Sequence, residues 1–204
     1  MTLIEIGRLL RSGTTGCVIG CQAARLETLA FGGMVRIPLQ APQPLEVYGI
    51  IHDIHIDDDG LVRQLVTAGD VPEELILDNR LNRNVPVEIS VLFIGHAEGG
   101  ILRHLLPPRP PLTLDTIYLC SPAEICAFTG AGRFGYFRHI LRAEDVPTGE
   151  LLAAHLLQAA RAQGSAGNTG WAADAERELI TLLRDDYPTL MAVLGALADA
   201  DLPA

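Results

Sequence analysis

The chain contains no lysine: all 15 of its basic residues are arginine. That absence excludes the lysine-bearing phosphate loop of P-loop ATPases, Schiff-base enzymes and any lysine general base, since each needs an ammonium group at the reacting centre. Basic charge is scarce altogether. Against 25 acidic residues it leaves a net charge of -10, which opposes broad binding to a phosphate backbone and confines nucleic-acid contact to a local patch. Aromatic residues make up only 5% of the chain, with one tryptophan, so aliphatic side chains must supply most of the core. No apolar run approaches the roughly 20 residues of a membrane span; the stretch Leu151 to Leu157 is already interrupted by His155. The opening Met1-Thr2-Leu3-Ile4-Glu5-Ile6 carries no basic segment ahead of an apolar run, the form of a secretory signal, so the cytoplasm is the expected address. Neither a GxSxG elbow nor an HExxH pair occurs, and no motif calls for a cofactor.

What the chain does have is apolar surface to bury. Hydrophobic residues are 49% of its 204 positions and charged residues 20%, enough to offset the entropy of ordering and give a globular fold. The first hundred residues read as closely spaced strands rich in Ile, Val and Leu: Leu3 to Arg11 and Thr14 to Gln22, joined at Ser12-Gly13, then Met34 to Leu39, Leu45 to Asp57 and Val85 to His96. Helices alternating with strands are missing from this half, which favours a small antiparallel barrel of about six strands over a doubly wound sheet. One helix start interrupts it, where Asp70 precedes Pro72 and the acids Glu73 and Glu74 fall in the first turn.

The second half changes character at Leu106-Pro107-Pro108-Arg109-Pro110-Pro111, an extended segment because each residue before a proline is pushed out of the helical region. This divides the chain into a barrel over 1–112 and a helical domain over 113–204, an α+β organisation. Ser121-Pro122-Ala123-Glu124 has the form of a capping box, opening a helix that ends near Gly130. Thr148 is placed as the cap of a helix over 149–163, followed by helices over 171–185 and from Pro188 to about Asp199.

The N-terminal half resembles the HAS barrel, the small β-barrel named for HerA-type ATPases and ATP synthase subunits. The residues that carry the likeness are Ile6-Gly7-Arg8-Leu9-Leu10, Val47-Tyr48-Gly49-Ile50-Ile51 and Val87-Glu88-Ile89-Ser90-Val91-Leu92-Phe93-Ile94-Gly95, followed by the proline run where the family leads toward its ATPase core. Here the chain departs from the family, passing into lysine-free helices instead of a phosphate loop. The resemblance therefore implies the barrel's role in assembling subunits and docking partners, such as a HerA-like ATPase or an associated nuclease. It implies no ATPase activity and transfers no catalytic residue.

Four segments carry candidate chemistry. On a strand through His52 to Asp57, side-chain alternation puts Asp53, His55 and Asp57 on one face with Asp59 nearby, a set that would suit a divalent cation in a metal-dependent hydrolase or nuclease; the competing reading is a solvent-facing strand ending in an Asp-Gly turn. Arg133, Tyr136, Arg138 and Arg142 interleave arginine with aromatics, as a single-strand nucleic-acid platform does, or as a helix does that turns its rings inward and its arginines outward. The run Asn79-Arg80-Leu81-Asn82-Arg83-Asn84 is the other candidate phosphate patch. Pro107, Pro108, Arg109, Pro110 and Pro111 form an extended arm suited to protein recognition. Gly130 to Gly135 spells a dinucleotide fingerprint but lacks the strand that must precede it, and reads as a turn. Cys17, Cys21, Cys120 and Cys126 have no metal-ligand spacing and read as buried thiols. The expectation overall is a non-enzymatic interaction module that docks on a HerA-like ATPase or assembles with itself.

Overall fold

The computed structural model describes residues 3–40, 44–58, 60–82 and 85–200. Its N-terminal part is a closed antiparallel barrel of six strands: β1 (Ile4–Ser12), β2 (Gly16–Cys21), β3 (Met34–Leu39), β4 (Leu45–His55), β5 (Val87–Glu98) and β7 (Thr116–Leu119). The strand order is β2-β1-β7-β3-β4-β5, and pairing of β2 with β5 from Gly16↔Leu92 to Cys21↔Val87 closes the circle. A short β6 (Ile101–Arg103) folds back on the far end of β5. Closure gives each of the six strands a neighbour on both sides, although β3 meets β7 only at Val35 and Arg36 and, among the described residues, β6 pairs with β5 alone.

Alternation sets which side chains go inside. Along β2, Cys17, Ile19 and Cys21 are buried while Val18 and Gly20 are only half-covered. With Ile6, Leu9, Val35, Ile37 and Ile89 they fill the interior, leaving a packed core. Curvature comes from bulges in β1 and between β4 and β5. Gly49 sits at one of these, where an added Cβ would lie 2.4 Å from Val91 Cγ1.

β3, and the N-terminal part of β4, are buried on both faces, because helices cover the outside of the barrel there. These are α3 (Pro122–Gly130), α4 (Phe137–Leu141), α5 (Thr148–Ser165), α6 (Trp171–Leu182) and α7 (Tyr187–Asp199). Met34, Tyr48, Ile50 and Ile94 from the barrel wall join Phe128, Phe137, Leu152, Leu156 and Trp171 in one continuous core. The capping box opens α3 as its sequence dictates, with Ser121 Oγ accepting from Glu124 N and the Glu124 carboxylate accepting from Ser121 N at 2.8 Å. Thr148 does not cap α5: Pro147 takes that place, and the Thr148 hydroxyl donates to the Val146 carbonyl. Asp186 caps α7 by accepting from Thr189 N.

Two further helices, α1 (Leu61–Thr67) and α2 (Glu73–Leu81), form an excursion between β4 and β5. The acids Glu73 and Glu74 lie in the first turn of α2 as expected, but no side chain caps it. β7 lies beyond the proline run, so the segment expected to end the barrel is followed by one of its strands. Among the described residues no helix is long and apolar enough to cross a membrane.

Candidate functional site

β4 ends at His55, so Asp57 leaves the strand before alternation can align it with Asp53. His55 Nε2 and Asp57 Oδ1 nevertheless meet at 3.1 Å on the surface. Asp58 is turned elsewhere, accepting from Gly60 N and pairing with Arg63, while Asp59 lies outside the described residues. Among the described residues no three His, Cys, Asp or Glu side chains converge to hold a metal ion. Of the three candidate ligands among the described residues, Asp53, His55 and Asp57, the structure thus brings together two.

The proline run is fastened to its own barrel. Pro107 and Pro111 are buried, Pro110 is half-buried, and Pro108 and Arg109 stay on the surface. Ser12 Oγ donates to the Pro111 carbonyl at 2.6 Å, and Arg109 Nη2 donates to the Gln40 carbonyl at 2.8 Å. What this segment can offer a partner is the Pro108–Arg109 corner.

Within 133–142 only α4 is helical, residues 133–136 forming the turn that leads into it, and the segment separates its two residue types. Tyr136 is fully buried, edge-on to Phe137 and His155, and burial pushes its hydroxyl above the usual phenol range. Its ring therefore has no free face for a nucleobase, which corrects its placement in a stacking platform. Phe134 is half-buried, stacked on Phe137 at 5.3 Å. The arginines point the other way. Arg133 and Arg142 are exposed, Arg138 is half-buried, and none of the three forms an ion pair among the described residues. Arg138 donates to the His104 carbonyl, which also lies 3.2 Å from His139 Nε2. Of the second phosphate patch, Asn79 and Asn82 bond within α2, Arg80 is exposed, and Arg83 and Asn84 lie outside the described residues.

Arg138 and Arg142 stand over a groove of about 840 Å³ between the β1–β2 turn, the outer face of β5 and α4 with the loop after it. Its floor is apolar, with Val18, Leu92, Leu106 and Val146; Ser12 and Thr15 contribute hydroxyls at the turn. Across from α4, Arg11 is held by Glu88 in a two-pronged pair at 2.8 and 3.3 Å. Burial lowers the imidazoles of His52 and His139 below their ordinary value, the latter further opposed by Arg138 and Arg142. The groove's positive charge is therefore carried by guanidiniums, with Glu144 the acid on its wall. A smaller hollow of about 340 Å³ continues past Arg138 to Arg133, Arg103 and His104. The arginines of this segment are legible in the sequence but the groove is not, because barrel closure brings Arg11 and Leu92 together and Arg142 joins them only through the packing of α4 on β5. A scan of protein-family models and a search of curated proteins yield no match to this chain.

Proposed function

We propose that the chain is a docking and assembly module, a barrel of HAS type without an ATPase core, that associates with a HerA-like ring ATPase or an associated nuclease, or with further copies of itself. The reading is supported by the placement of the resembling segments: Ile6 to Leu10 lie in β1, Val47 to Ile51 in β4 and Val87 to Gly95 in β5, all strands of the closed barrel. The observation that carries it is the groove. An apolar floor under two guanidiniums without ion pairs, on a protein of net charge -10, is a surface selected for an acidic and apolar partner segment. A rigid barrel suits that task, since preformed walls cost little ordering on binding.

The test is affinity capture from native lysate by the tagged chain, alongside an Arg138→Glu/Arg142→Glu variant. The expected result is an ATPase or nuclease retained by the wild type through a high-salt wash and lost from the variant. Equal capture by both, or capture of neither protein class by a wild type that also fails to self-associate, overturns the reading.

A further inference from the structure

We infer that the groove accepts α2 of a second copy of this chain, giving head-to-tail self-association; the inference rests on reading the groove as a docking surface. The described residues of the α1–α2 excursion are mostly exposed and none is buried. Val66 is 78% exposed, Leu77 56% and Leu75 43%, and an apolar cleft of about 470 Å³ runs between the two helices. These leucines share α2 with Glu73, Glu74 and Asp78. Acids beside exposed leucines on one short helix are the chemical counterpart of arginines above an apolar floor.

The dimensions agree. A helix of nine residues is about 13 Å long, a ridge that a groove of about 840 Å³ can seat along one side. The two surfaces also lie at opposite ends of the molecule's own β2. Gly16, at its start, lines the groove, while Cys21, at its end, leads into the 3-10 turn Ala23–Thr28 against which α2 packs. A chain therefore cannot place its own α2 in its own groove, and the contact is heterologous: each copy gives a helix to one neighbour and receives one from another. Such contacts build a closed ring or an open chain, according to the rotation per step. A nucleic-acid strand is disfavoured as occupant. Phe93, the aromatic residue among those lining the groove, is fully buried, and the rings left for base stacking are the half-buried imidazoles of His52 and His139.

The closing experiment is sedimentation velocity on the full chain up to about 100 µM, with two charge-reversed variants, Arg138→Glu/Arg142→Glu and Glu73→Arg/Glu74→Arg. Arg142, Glu73 and Glu74 are exposed, while Arg138 is half-buried and bonded to the His104 carbonyl, so circular dichroism checks the fold of each variant and Arg142→Glu alone serves as the groove variant if the pair disturbs it. Wild type is expected to associate, each variant alone to associate at least about tenfold more weakly, and an equimolar mixture of the two to recover association because each groove then meets a helix of opposite charge. A monomeric wild type, or variants that associate like wild type, or a mixture that fails to recover, overturns the inference. The docking reading is tested separately by the lysate capture. A monomeric wild type that still loses its captured partner on Arg138→Glu/Arg142→Glu leaves that reading standing while removing self-association. Leu77→Asp keeps the basic groove intact and is expected to weaken only self-association.

Discussion

His155 Nε2 lies 3.3 Å from the hydroxyl of Tyr136, the two rings meeting edge to face at 89°. The other ring nitrogen, Nδ1, faces the Gly32 carbonyl at 3.3 Å, so one imidazole ties α5 to α4's leading residue and to the approach to β3. Gly32 adopts a φ of +78° with α5 against it; a Cβ there would stand 2.7 Å from Ala154 Cβ.

Burial lowers the His155 pKa to about 4. An unfolded chain takes up the proton near the ordinary value of about 6.5, so between these limits the unfolded state binds more protons and stability falls as pH falls. The contribution is complete above pH 6.5 and has lost about 3 kcal/mol by pH 4. His52, His104 and His139 are shifted in the same direction, chiefly by burial, and add to the slope. Urea unfolding from pH 7.5 to 4 is expected to show this loss, with a shallower slope in His155→Gln. An unchanged slope in the variant would refute the assignment.

Gln163 is a second buried polar anchor, only 2% exposed. Its amide donates to the Cys126 carbonyl at 2.9 Å and to Thr129 Oγ1 at 2.8 Å, fastening α5 to α3. Its carbonyl oxygen accepts from Asn168 at 3.3 Å, and Trp171 Nε1 donates to the Thr129 carbonyl at 3.2 Å, which draws α6 into the same knot. Gln163→Leu strands several buried partners and is expected to cost about 2–4 kcal/mol. Gln158→Leu, removing one bond from a half-buried side chain to the Phe31 carbonyl, is expected to cost under about 1 kcal/mol. Comparable losses in the two variants would contradict the network's role.

How much of this could be read from residues alone depends on whether the determinant is local. The Ser121–Glu124 capping box is local and was legible, as was the alternation of β2 that buries Cys17, Ile19 and Cys21. β7 was not: Thr116 to Leu119 is four residues after a proline run, and it is a strand only because β1 and β3 flank it. Asp57 fell off its expected face because β4 stops at His55. In 133–142 the alternation of ring and guanidinium was visible, yet whether the rings face solvent or core is decided by Phe128, Trp171 and His155, which sequence spacing does not place beside them.

Arg36 is 8% exposed on the outer face of β3. Its Nη1 pairs with Glu46 at 3.0 Å; its Nε stands 2.6 Å from Glu124 Oε1, an ion pair by distance whose N–H is not aligned into a hydrogen bond. Tyr48 donates to the other oxygen of Glu46 at 3.0 Å. Arg36→Met is expected to cost about 2–3 kcal/mol, since it leaves two carboxylates facing each other at the barrel–helix junction. Glu124→Gln keeps an acceptor for the α3 cap and is expected to cost about 1 kcal/mol. Because both act on one pair, the double variant is expected to be less destabilised than the sum, by denaturant titration. Strict additivity would show that Arg36 and Glu124 do not interact.

The four cysteines are all free, and three of them are buried. Burial pushes the Cys17 thiol up to about 12 and raises Cys21; Cys120 is raised well above its ordinary value by burial and by Glu124. A thiol reacts as its thiolate, so these three are doubly protected, by lack of access and by the missing charge. Cys126 is half-buried, on α3, its sulfur 3.4 Å from Gln163 Oε1. With a disulfide reagent at about pH 8, near the ordinary thiol pKa, the folded chain is expected to consume one equivalent and the urea-unfolded chain four. Cys126→Ser is expected to abolish the folded-state reaction. Because Cys126 touches the Gln163 knot, its modification is also expected to lower the unfolding midpoint, and Gln163→Leu to speed its labelling by loosening α5 from α3. Rapid labelling of Cys17 in the folded chain would mean that the barrel opens between β2 and its neighbours, contrary to the closed ladder from Gly16↔Leu92 to Cys21↔Val87.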